Sequence, residues 1–142
     1  MLRLTLLDRI AFFDDFDDEE KEYILSVDSL FSRIAVGEYI IRQGSHDSNL
    51  FILIKGDLLV SRDNKPLAEL KAGAVFGEMS FLTREVRSTD VKATTPATVF
   101  SLSSDSFSQF SLGLQTKVQA KIIHTLVNRI TDMNATLANL LR

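Results

Sequence analysis

Phe76-Gly77-Glu78, followed nine residues after the glutamate by Arg87-Ser88-Thr89, contains the residue types and spacing best suited to chemistry. Gly77 lacks a Cβ and so lets a ligand approach the backbone. The segment from Glu78 to about Thr83 can form one short helix. Its first N–H groups, contributed around Gly77, Glu78, Met79 and Ser80, have no partner within the helix and would point at an anion. Arg87 adds a planar, permanently charged fork suited to phosphate oxygens, and a charge-assisted bond of this kind contributes about 1.5–3 kcal/mol. Ser88 offers a hydroxyl and a backbone N–H beside it, while Thr89 reads as a strand residue close to the same place. The chemistry these residues suit is recognition of a small phosphate.

Other chemistries find little support. The 142 residues include no cysteine and only His46 and His124, too few for a thiolate or histidine-rich metal site. There is no Ser/His/Asp grouping at supporting spacing and no Walker sequence, and the acidic run Asp14 to Glu20 suits a solvated helix start. A cupin-like metal enzyme lacks its ligand cluster, so the chain is expected not to be an enzyme and to need no cofactor. A net charge of −3 argues against a general nucleic-acid surface. Arg3, Asp8 and Arg9 interrupt the N-terminal apolar stretch before any membrane span forms. The absence of cysteine points to the cytoplasm.

The elements that must hold the anion-binding segment are mostly strands. From Leu30 to Ser103 the sequence falls into short β-rich runs separated by glycine and polar turns: Leu30–Ala35, Glu38–Arg42, Leu50–Lys55, Leu58–Arg62, Lys65–Leu70, Asp90–Ala93 and Thr98–Leu102. Before them, Leu4, Leu7, Ile10 and Ala11 share one face of a predicted amphipathic helix, and a second helix is predicted from about Asp18 to Val27. After them comes a short helix around Asp105–Phe110, N-capped by Ser103 or Ser104. A long helix then runs from Gln115 to Arg142, with Val118, Ile122, Leu126, Ile130, Met133, Leu137 and Leu141 on one face. The prediction is a single α+β, mainly β domain over 1–142. Helices occupy 1–28 and 104–142, and an antiparallel jelly-roll-like β-barrel spans 29–103.

The segment Phe76 to Ala93 resembles the phosphate-binding cassette of cyclic-nucleotide-binding domains, the family of protein kinase A regulatory subunits, the catabolite activator protein and cyclic-nucleotide-regulated channels. The resemblance extends to Val36-Gly37-Glu38 through Gly44, to Leu50 through Gly56 and to Leu67 through Gly73. It implies a regulatory sensor for cyclic AMP or cyclic GMP, with cyclic AMP slightly favoured because Ser88 also occurs at this place in proteins that prefer it. It assigns Arg87 to the phosphate and Glu78 to the ribose 2′-hydroxyl. Val60, Leu67 and Ala68 would form an apolar wall against the base, each equally able to be plain core, and Arg84 would face solvent.

The resemblance further implies that the C-terminal helix couples occupancy to downstream states, or pairs with a second copy in a homodimer. No helix-turn-helix, kinase or pore sequence follows that helix, so the output is expected in an unknown effector or in a longer chain. Val86 stands where many members carry proline. Asp90 would share a strand face with Ser88, about 7 Å away, and oppose a phosphate. Those two residues define the alternative reading, a non-binding domain that serves as a dimerisation or interaction module.

Overall fold

Leu50–Lys55 is apolar up to its last residue, which suits a strand only if both of its faces are covered. The computed structural model describes residues 4–141. Arg3 and Arg142, the predicted end of the last helix, lie outside them. Eight strands form two four-stranded antiparallel sheets. The first sheet has the order β1 (Phe31–Ile34), β8 (Ala97–Leu102), β3 (Leu50–Lys55), β6 (Val75–Phe76). The second has the order β2 (Tyr39–Ile41), β7 (Asp90–Ala93), β4 (Leu58–Arg62), β5 (Lys65–Leu70). The mainly β architecture matches the prediction, as two facing sheets that do not close into one ring.

Alternation along each strand sends side chains to opposite faces. Phe51, Leu53, Phe76, Ala97 and Val99 of the first sheet join Ile41, Leu58, Val91 and Ala93 of the second in one buried cluster. The alternate residues Leu50, Ile52, Phe100 and Leu102 are equally buried. Phe100 meets Phe13 edge-on at 5.7 Å, so the N-terminal segment covers the other face of the first sheet. Phe12, Phe13 and Phe16 pack edge to face among themselves. Each such buried ring contributes about 1.5–3 kcal/mol relative to an exposed one.

The N-terminal helix is shorter than its periodicity suggests. α1 spans Leu4–Leu7, after which the Ile10 amide bonds to the Leu7 carbonyl at 3.0 Å. That tightened turn leaves Ala11 exposed at the start of a 3₁₀ turn, Ala11–Phe13, and leads Phe12 and Phe13 inward. α2 (Asp18–Ser26) begins with a reciprocal cap: Asp17 Oδ1 accepts from the Glu20 amide at 2.8 Å, and Glu20 Oε1 accepts from the Asp17 amide at 2.9 Å. α3 (Glu78–Thr83) is the predicted cassette helix, and α4 (Ser104–Ser108) is capped by Ser103, the first of the two candidates.

The chain divides into two compact units, residues 1–109 and 110–142. The second is dominated by α5 (Leu112–Leu140), which starts three residues before the predicted Gln115 because Ser111 Oγ caps the Leu114 amide at 3.2 Å. The predicted apolar stripe along it is split. Val118 and Ile122 are buried, whereas Ile130, Met133, Leu137 and Leu141 are exposed.

Candidate functional site

Gly77 precedes α3 in the left-handed region, at φ 76°. A Cβ built there would lie 2.9 Å from Arg87 Nη1 and 2.9 Å from the Asn49 carbonyl oxygen. Gly77 is therefore needed both for its dihedral and for the space that the Arg87 side chain occupies. Arg87 arrives from the loop after α3, and that loop is tied to the turn following β2 by two backbone bonds. The Gly44 amide donates to the Arg87 carbonyl at 2.8 Å, and the Arg87 amide donates to the Ser45 carbonyl at 2.9 Å.

The Arg87 guanidinium is 97% enclosed, with a side-chain exposure of 3%. Nη1 donates to the Gly77 carbonyl at 3.0 Å, and Nη2 to the Asn49 carbonyl at 2.6 Å. Nη2 also donates to Asp47 Oδ2 at 2.8 Å, with Nε 3.3 Å from both carboxylate oxygens. The Phe51 ring lies 5.6 Å from Cζ and itself stacks on Phe76 at 5.2 Å. Burial of Asp47 works to raise its pKa, but the hydrogen bonds and charge of Arg87, aided by Ser45, outweigh it and hold the carboxyl below its ordinary 3.8. The Asp47 side chain is 42% exposed, so the carboxylate lies between the buried cation and solvent.

The predicted site residues divide by depth. Glu78, Ser80 and Arg87 are buried, Gly77 and Thr89 half-buried, and Met79 and Ser88 exposed. Gly77 and Arg87 meet directly, and the Ser88 carbonyl accepts from Arg62 Nε at 3.1 Å. Val60 packs against the inter-sheet core, opposite Ala68 in the β4–β5 ladder. Leu67 falls at the irregularity of that ladder and is 58% exposed. Val60 is thus half-buried against the core, and Leu67 and Ala68 are exposed. Arg84, exposed as predicted, takes the left-handed position ending α3 and donates to Ser104 Oγ at 3.2 Å.

Asp90, half-buried in β7, is engaged at the end of β2. Its Oδ1 accepts from the Gln43 amide at 2.7 Å and lies 3.7 Å from Arg42 Nε, so its charge is spent on the β2 end. Asp47, Asn49 and Phe51 were missed by the sequence reading. Asp47 is 40 residues from Arg87 and sits among turn-forming residues, where a carboxylate looks solvated. The available clue was the Gly44–Asn49 stretch, whose glycine and polar residues mark a loop next to the apolar β3.

The family model of the cyclic nucleotide-binding domain matches residues 32–112, more than half of the chain. Over 94 residues the chain is 30% identical to the cGMP-dependent protein kinase egl-4 of Caenorhabditis briggsae, a match covering 66% of this chain and 13% of the kinase. The chain therefore corresponds to a small part of that relative's length. The structure described as Sp-2Cl-cAMPS bound to PKAR CBD2 superposes with a TM-score of 0.67 at 25% identity, covering 95% of this chain and 86% of that one. The catabolite activator protein of Thermus thermophilus shares the fold, with a TM-score of 0.75 at 24% identity, covering 91% of this chain and 62% of that one.

Proposed function

Because the chain belongs to the cyclic nucleotide-binding domain family, we propose that it is a regulatory sensor whose Arg87 clamps the cyclic phosphate in exchange for Asp47. The observation that carries this reading is the buried guanidinium, oriented by two carbonyls and capped by a carboxylate that faces solvent. Nε, Nη1 and Nη2 are all engaged, so an arriving phosphate must share or take the donors now given to Asp47. Phosphate and carboxylate compete for the same planar fork. Glu78, buried at the start of α3, would accept from the ribose 2′-hydroxyl. The exposed Met79 and the backbone of Ser80 would line the approach, with Ser88 and Thr89 beside the phosphate.

Cyclic AMP is the slightly favoured ligand and cyclic GMP the other. Calorimetric titration with each tests the reading. Saturable binding near micromolar, about −8 kcal/mol, is expected for at least one. Absence of heat with both at millimolar concentration would leave only the alternative, a module that keeps the fold without the ligand.

A second reading concerns the output. Along α5 and its C-cap the exposed residues Ile123, Val127, Ile130, Asn134, Leu137 and Leu141 alternate in steps of four and three, the repeat of a two-stranded coiled coil. A single asparagine inside such a seam fixes register. α5 is therefore proposed to pair with a second copy and to transmit occupancy to a downstream effector. Sedimentation should show a dimer that Ile130→Asp converts to monomer, and a monomeric parent chain at high concentration would refute the pairing.

A further inference from the structure

Arg33 of β1, Thr98 of β8 and Lys55 of β3 form a cross-strand row in the first sheet, with Lys55 reached after a register shift in β3, and all three line the same groove. The row borders an open groove of about 870 Å³ in the first unit, which Arg9 of the N-terminal segment also lines. None of the residues lining this groove belongs to the cassette 76–93 or contacts Arg87. Arg9, Arg33 and Lys55 are exposed, and no ion pair engages any of them among the described residues. Asp28 is the one carboxylate in the lining, so the groove carries an excess of positive charge in a chain whose net charge is −3. Half-buried Leu25 and Phe31 add apolar surface to the same lining.

We propose that this groove is a docking site for an acidic peptide segment of a partner protein, carrying spaced carboxylates and an apolar side chain. The arrangement of charge selects the occupant. Arg33 and Lys55 are two strand spacings apart, roughly 10 Å, and Arg9 comes from the N-terminal segment rather than the sheet. One phosphate group cannot meet all three, whereas carboxylates spaced along an extended peptide, about 7 Å apart at every second residue, can. The apolar part of the lining takes the side chain that a purely electrostatic contact would leave in water.

Fluorescence anisotropy of a labelled glutamate-rich peptide containing one leucine, titrated with the full chain, tests this. Saturable binding that weakens with added salt is expected, and the matched peptide with glutamine for glutamate should not bind. Arg33→Glu with Lys55→Glu should weaken binding about tenfold, equivalent to about 1.4 kcal/mol, while leaving cyclic AMP titration unchanged. Arg9→Ala and Lys55→Ala, measured singly, serve the same purpose should the double reversal disturb the fold. No binding of the acidic peptide, equal binding of the glutamine peptide, or indifference to these substitutions would overturn the proposal. Capture by phosphatidylcholine–phosphatidylserine vesicles through the same residues, without peptide binding, would overturn it in favour of a lipid surface. The groove and the cassette share no residue, so a failure here leaves the cyclic-nucleotide reading standing, and the reverse also holds.

Discussion

The first unit holds its cations in two contrasting ways. Arg87 is enclosed, held by two carbonyls and faced by one carboxylate, whereas Arg9, Arg33 and Lys55 stand in solvent around a groove. The difference teaches what burial does to a charge. In water an ion pair is worth about 0–1 kcal/mol, because solvent already screens and satisfies both partners. Inside the protein the same charge must be fully hydrogen-bonded, so its partners are fixed and their exchange has consequences elsewhere. The buried cation suits one small, defined anion, while the exposed ones suit a longer ligand with distributed charge.

The largest effect expected from breaking this contrast is at Arg87. Arg87→Ala should weaken cyclic-nucleotide binding about tenfold to a hundredfold, since one or more charge-assisted bonds disappear. It should also cost about 2–4 kcal/mol of stability in thermal or denaturant unfolding, because the Asn49 carbonyl loses the Arg87 donor and the Gly77 carbonyl keeps only the Phe81 amide at 3.3 Å. Unchanged affinity in a folded variant would move the phosphate site elsewhere.

Asp47→Asn should have an intermediate effect and opposite signs on two readouts. Removing the competing carboxylate should tighten nucleotide binding several-fold while lowering the stability of the free protein. The pH dependence follows from the lowered carboxyl pKa. A group whose folded pKa is depressed contributes stability above its unfolded value, here 3.8, and loses it as pH falls through the folded pKa. The parent chain should therefore lose stability more steeply than Asp47→Asn as pH is lowered below 3.8 in chemical denaturation. Parallel curves would show that the ion pair contributes nothing. The smallest effect belongs to the groove: Arg33→Ala should change stability by less than about 0.5 kcal/mol, as measured by thermal unfolding.

How much was legible in the sequence follows the range over which each feature is determined. Leu50–Lys55, Leu58–Arg62, Lys65–Leu70 and Asp90–Ala93 were read with their observed bounds, because short β-rich runs and flanking turns fix them. Gly77 and Arg87 could be singled out because the site concentrates them in one segment. β6 was not readable: Val75–Phe76 is too short for any period and lies between Gly73 and Gly77, which look like loop. The first helix stopped early because tertiary packing of Phe12 and Phe13 outweighs the helical spacing of Ala11. The partners of Asp47 and Asp90 were not legible for a common reason. A carboxylate's partner is set by where distant backbone passes, and neither Arg87 nor the Gln43 amide is near them in sequence.

The central claim is that phosphate and Asp47 compete for one buried guanidinium, and the Arg87 Nε–H resonance reports on that bond directly. Titration with cyclic AMP, or with cyclic GMP if only it binds, should shift the resonance along the same saturation curve as the calorimetric heat, while the corresponding nucleoside, lacking the phosphate, should leave it in place. A resonance that stays fixed while the nucleotide binds would contradict the account.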